Sequence, residues 1–329
     1  MGRLLTSVFM VILILLSVSV PVIGIENQGN IKDDVPISAQ NITIQLLTPF
    51  GVENFTVEMS GEDIQNLNKI INETEWKLKN VSSTSEVKKI FNETVERLAD
   101  YGFLPRHRIK EIQSLVTGES RFFHLIQPIV NKSQLFEISD NLMCLVCGRM
   151  TETLTLPLIR FLISTPIRIL LFFPGYTLSM IFCNLGYYTN LSIASWIGIF
   201  FEVVTALVAL YPSIAFQLLP LPYLGTIVSI GSEFIEFEIP SVVPSEGWLF
   251  TSGLEGIKMW NGSFIGGYGH RDVLIQLAFF LQYPLYTLFN PPYIGIIGFF
   301  GLSIPTYSSL FETDHFYLGY ALGVSIEER

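Results

Sequence analysis

The chain has 329 residues, half of them hydrophobic and only 15% charged, with a formal net charge of -10. A soluble domain carries about 25% charged residues, so this composition excludes a surface wetted evenly on all sides. An acidic balance without basic clusters also excludes nucleic acid as a partner, since that binding rests on Lys and Arg neutralising phosphates. The charge is unevenly placed: residues 1–150 hold 14 Lys and Arg and 17 Asp and Glu, whereas residues 151–329 hold only 5 and 12.

Residues 1–24 have the pattern of an export signal. Arg3 supplies a positive start, residues 4–20 are apolar, and Val22-Ile23-Gly24 offers a place for cleavage. An uncleaved anchor is the alternative, because residues 4–24 are long enough to span a bilayer. N-x-Ser/Thr sequons fit an exported chain and give glycosylation candidates at Asn41, Asn54, Asn72, Asn80, Asn92, Asn131 and Asn261. A further sequon at Asn190 lies within an apolar stretch.

Residues 25–150 are expected to form an extracytoplasmic α+β domain. Alternation over 41–60 predicts a β-hairpin turning at Thr48-Pro49-Phe50-Gly51. Ser60 with Asp63, and Ser83 with Glu86, are N-cap signals for two helices. The first helix carries an apolar stripe of Ile64, Leu67, Ile70, Ile71 and Leu78, and the second one of Val87, Ile90, Phe91, Leu98 and Tyr101. A third helix is expected after Pro105, stopping at Gly118.

Residues 151–219 are expected to be an apolar helical region, transmembrane or interfacial. Between Ile169 and Ser232 the one charged side chain is Glu202, and none occurs from Val273 to Phe311. Residues 191–213 and, interrupted by Pro174-Gly175, residues 169–189 are the spanning candidates. Glu202 would then be an intramembrane carboxylate, with Arg160 or Arg168 as its partner. Residues 220–329 are expected to form an antiparallel β region, in which Gly253-Leu254-Glu255-Gly256-Ile257 is echoed by Gly298-Phe299-Phe300-Gly301-Leu302.

Chemistry-bearing groups are sparse. Cys144 and Cys147 form the one CxxC, read as buried thiols or a disulfide, since a zinc site needs about four ligands. Glu233, Glu236 and Glu238 could supply carboxylates to a hydrolase. No nucleophile elbow, phosphate loop or HExxH motif is present. The sequence therefore implies no cofactor and no metal.

Three stretches, Leu98 to Pro105, Asn141 to Arg149, and Gly247 to Gly262 with the Phe316 to Leu322 tail, resemble exported proteins of archaeal genomes that have no assigned function. The resemblance implies compartment and architecture, and no catalytic residues. The expected role is that of a membrane-associated envelope protein that binds or supports, with lipid as partner and another envelope protein or a glycan as a further one. Two alternatives stand beside it: a transport component using Glu202, and a hydrolase using the Glu233 to Glu238 cluster.

Overall fold

The computed structural model describes residues 40–130, 139–157, 177–185, 187–189, 193–200, 225–236, 239–268, 292–307 and 313–329. All of them belong to one compact unit, Ala39–Arg329. Its centre is an 11-stranded antiparallel sheet whose main path runs β11-β8-β7-β3-β10-β9-β1-β2. In chain order the strands are β1 (Gln40–Thr48), β2 (Gly51–Met59), β3 (Asn141–Met150), β4 (Thr153–Pro157), β5 (Thr226–Glu236) and β6 (Ile239–Val243). They continue with β7 (Ser245–Gly253), β8 (Gly256–Gly266), β9 (Pro292–Tyr307), β10 (Thr313–Val324) and β11 (Ile326–Glu328). β5 leaves the main path, pairing with β4, β6 and the first half of β9.

Four helices cover one face: α1 (Gly61–Lys79), α2 (Thr84–Asp100), α3 (Ile109–Val116) and α4 (Arg121–Val130). Capping fixes where the first two begin. Ser60 Oγ accepts from Asp63 N at 3.2 Å while Asp63 takes the Ser60 backbone N–H at 2.8 Å, so two otherwise orphaned donors are satisfied. Ser83 Oγ accepts from Glu86 N, and the Glu86 carboxylate reaches one residue further back, to Ser82 N. Both carboxyls are held below the usual range, Asp63 first by a hydrogen bond from the Ser60 hydroxyl and then by the Ser60 backbone N–H, and Glu86 by the Ser82 backbone N–H. α1 buries Leu67, Ile70, Ile71 and Leu78. In α2, Val87, Phe91 and Leu98 point inward, but Tyr101 at its end is exposed, against the expected stripe.

The outer side of this helical layer is tied by ions. Lys77 pairs with Glu93 at 2.7 Å and Lys88 with Glu119 at 3.0 Å. Arg97 binds Glu73. Arg108, immediately before α3, grips both Glu111 of that helix and Glu53 on β2, and it lies over the Phe55 ring at 5.7 Å, so it clamps the hairpin to α3. Exposed pairs of this kind contribute little each, about 0–1 kcal/mol, and their main effect is to keep this face wet.

Both faces of the central strands are apolar. On β3, Leu145 and Cys147 join the helix-facing core, while Cys144, Val146 and Met150 join a second core on the other face with Val228, Ile230 and Phe264. β10 does the same, with Phe316, Leu318 and Tyr320 on one side and Tyr317, Ala321 and Val324 on the other. Glycines make the close approach possible. Gly319 faces Gly301 across the β10–β9 pair, and a Cβ at Gly319 would stand 2.1 Å from the Phe300 carbonyl oxygen and 2.9 Å from the Phe299 ring.

Two expectations are corrected here. The fold is not an α+β unit joined through an apolar helical middle to a separate β region. β1 pairs with β9, and β3 lies between β10 and β7, so residues on both sides of the 151–219 stretch build one sheet. No transmembrane helix is found either: among the described residues no helix is long and apolar enough to cross a membrane. The 151–219 stretch opens with strand β4, and its described helical residues are 177–185, 187–189 and 193–200. The charge-free run after Val273 misled for a different reason: in β9 apolar residues fill both faces because each face is covered by protein. The signal segment lies outside the described residues, as do the Asn131 and Asn190 sequons.

Gly319→Ala is expected to destabilise the protein by about 2–3 kcal/mol, because Phe299 and the β9 backbone must both shift to admit one methyl group. Urea unfolding followed by circular dichroism measures this. A loss below about 0.5 kcal/mol would contradict the packing described.

Candidate functional site

The feature of the described surface that departs most from a wetted protein is the helical pair at 177–200. Its two pieces meet through small side chains. A Cβ at Gly198 would stand 2.4 Å from Cys183 Sγ and 2.9 Å from the Ser179 carbonyl oxygen, and Ser179 and Ala194 are buried. Ser179 and Cys183, like Ala194 and Gly198, are four residues apart, so each piece presents a small-xxx-small stripe to the other.

The large apolar side chains point the other way. Tyr188 is 80% exposed, Ile193 70% and Phe200 63%, and Leu178, Ile181 and Trp196 are exposed as well. A water-facing helix hides its large apolar residues and shows its charged ones. Here the order is inverted, and 177–200 contains no Asp, Glu, Lys or Arg at all.

The second candidate is a pair of polar clusters at the far end of β3, β9 and β10. Arg149 Nη2 donates to Asp314 Oδ2 at 3.0 Å and Nε to the same oxygen at 3.2 Å. Asp314 is buried and its Oδ1 has no hydrogen-bond partner. On the opposite strand face the His315 ring lies 3.4 Å from Ser303 Oγ, and Tyr317 Oη donates to Thr153 Oγ1 at 3.0 Å. Burial drives the His315 imidazole down to about 4, so the ring is neutral at pH 7, and it pushes the Tyr317 phenol up to about 12. Strand alternation sets Asp314 and His315 on opposite faces, so this carboxylate cannot orient that imidazole. Ser303 is itself buried. The arrangement holds strands together and offers no nucleophile to a substrate.

The residues that sequence reasoning selects are scattered. Cys144 and Cys147 sit three apart on one strand and enter different cores, so they face opposite ways and are free thiols. Burial raises both thiol pKa values, which makes them unreactive. Glu202, Arg160, Arg168 and Glu238 lie outside the described residues, and β5 sets Glu233 opposite Val242 and Glu236 opposite Ile239. Among the sequons, Asn41, Asn54, Asn72, Asn80 and Asn261 are exposed. The threonines of the Asn72 and Asn92 sequons have a packing role: Thr74 and Thr94 are buried 3.0 Å apart between α1 and α2. Among the described residues no group of His, Cys, Asp or Glu could hold a metal ion.

Sequence reasoning also missed the buried side chain of Asn141. Asn141 donates to Thr251 Oγ1 and to the Gly256 carbonyl, each at 2.9 Å, and accepts from Glu255 N at 3.1 Å. It thereby pins the β7–β8 turn to the start of β3. Its signal was the Gly253-Leu254-Glu255-Gly256 turn, which gives no hint of the distant residue that holds it.

No protein-family model, curated protein or solved structure matches the chain.

Arg149→Leu should destabilise the protein by about 2–4 kcal/mol at neutral pH, because it strands the Asp314 carboxylate. The double variant R149L/D314L should recover most of that loss in a double-mutant cycle of chemical unfolding, and additive losses would refute the pairing. His315 sets a pH dependence. Its folded value lies below the unfolded value of about 6.5, so the unfolded chain takes up a proton first as pH falls. The stability His315 contributes is full above about pH 6.5, drains between about 6.5 and 4, and levels off below that. Unfolding midpoints across this window should fall in the wild type by the equivalent of up to about 3 kcal/mol more than in His315→Gln.

Proposed function

We propose that the protein is an exported, membrane-associated envelope protein with a non-enzymatic binding or supporting role, held against lipid by the helical pair at 177–200. The observation that carries this reading is the inverted pattern of that pair, with small residues between the helices and large apolar ones outside. In water, the same pair would leave an uncovered apolar patch of a kind that soluble monomers rarely carry.

Lipid is the favoured occupant because the pair turns Leu178, Ile181, Ile193, Trp196 and Phe200 outward with no charged residue among positions 177–200 to mark a polar rim. Tyr187, Tyr188 and Trp196 are of the types that settle at the level of lipid headgroups. The apolar segment behind Arg3 supports export. The ion-laced outer side of α1 to α3 suits a water-facing surface.

Fractionation of cells expressing the full chain tests the proposal. The protein should sediment with membranes, resist extraction by high salt, and be released by detergent. A full chain that remains dissolved and monomeric without detergent would overturn the reading, and the helical pair would then be covered by protein.

A further inference from the structure

The outer side of α1 carries a large apolar side chain in the open. Trp76 is 68% exposed, while Leu67, Ile70, Ile71 and Leu78 of the same helix are buried. Its ring is one wall of a shallow hollow whose other lining residues are Gln65, Asn68, Lys69, Asn72 and Glu73. Charges at and beside the hollow are taken up in pairs, Glu73 with Arg97, Lys77 with Glu93 at 2.7 Å and Glu75 with Lys79 at 2.6 Å. Next to the indole plane stand the amides of Gln65, Asn68 and Asn72. An aromatic face takes the C–H side of a sugar ring, and amides both donate to and accept from its hydroxyls, so this lining fits a neutral carbohydrate.

The same hollow contains a point of attachment for such a sugar. Asn72 is exposed and opens the sequon Asn72-Glu73-Thr74. Residues four apart on a helix lie one above the other, and a long helical side chain leans over the turn before its own Cα. Trp76 is thereby set against Asn72. Asn80, which opens the next sequon, does not line the hollow and turns to the backbone instead, where its Nδ2 donates to the Trp76 carbonyl at 2.9 Å.

We propose that Asn72 is N-glycosylated and that its first sugar stacks on Trp76. This rests on the export reading above, and it names what covers the exposed ring. The co-reactant is a lipid-phosphate-linked oligosaccharide, presented by a glycosyltransferase outside the cytoplasm. Asn72 Nδ2 bonds to the anomeric carbon and gives up one amide proton, while the bond from that carbon to the phosphate oxygen breaks and the lipid phosphate leaves with its electron pair. Transfer has to precede folding. The Thr74 hydroxyl, which completes the sequon, is buried in the folded protein, donating to the Ile70 carbonyl at 2.8 Å and lying 3.0 Å from Thr94 Oγ1.

The full chain, purified from cells that N-glycosylate exported proteins, tests this by peptide mass spectrometry and by acrylamide quenching of Trp76 emission. That emission is taken as the difference between each protein and its W76F counterpart. Asn72 should carry a glycan. A sugar over one of the two ring faces should lower Trp76 quenching about twofold, so N72Q should raise it by that factor. S82A, which deletes the Asn80 sequon, should leave it unchanged. A glycan on Asn54 with Asn72 bare would overturn the inference and leave export standing, and so would equal quenching in N72Q and wild type or an equal rise in S82A. A chain with no glycan at any sequon would remove the export reading together with the inference. Should N72Q misfold, enzymatic removal of the glycans from folded wild type makes the same comparison, and unchanged quenching there would overturn the inference.

Discussion

The constraint on which the rest depends is that β3, β9 and β10 are apolar on both faces. A half-polar strand can lie at a protein surface, but one buried on both sides needs cover above and below. The helices α1 to α4 cover one face. The other is closed by the sheet itself, where β5 departs from the main path and brings Val228 and Ile230 to Phe264 and Trp260. Each glycine at a close approach, Gly319 over Phe300 and Gly225 on Gly298, marks a place where cover and strand come nearer than a side chain permits.

The same constraint separates two kinds of apolar sequence that look alike in composition. β9 contains no charged residue and is dry because protein surrounds it. The helical pair also contains none, yet its large side chains face outward. The difference appears in where the small residues lie: the β9 glycines meet other strands, Gly295 at Ile230, Gly298 at Leu322 and Gly301 at the Leu318 backbone, whereas Gly198 meets the neighbouring helix at Cys183 and Ser179. Lipid is invoked for the second kind alone.

What the sequence made legible was local. Ser60 with Asp63 and Ser83 with Glu86 mark helix starts because a cap is made within a few residues, and alternation from Gln40 to Met59 marks a hairpin because the two strands adjoin. Pairing between distant strands leaves no such mark. Nothing near Cys144 announces that its strand lies between β10 and β7, and a run with both faces apolar shows no period to read. Charge poverty reports burial from water without telling protein from lipid, so an apolar helical region was expected over 151–219, whose first residues form β4. Of the residues singled out for chemistry, Cys144 and Cys147 were separated by the pleat of one strand. The Arg149 and Asp314 pair went unnoticed, since the two sit far apart in the chain and meet only through strand pairing.

The placing of β3 between β10 and β7 also has a bearing on how the molecule is made. Its neighbours on both sides are translated long after it, so the strand emerges with two sticky faces and two bare edges and must wait for them. Topologies dominated by such distant contacts close slowly. Until the late strands arrive, helices α1 and α2, with their own caps and ion pairs, can shield part of the waiting surface.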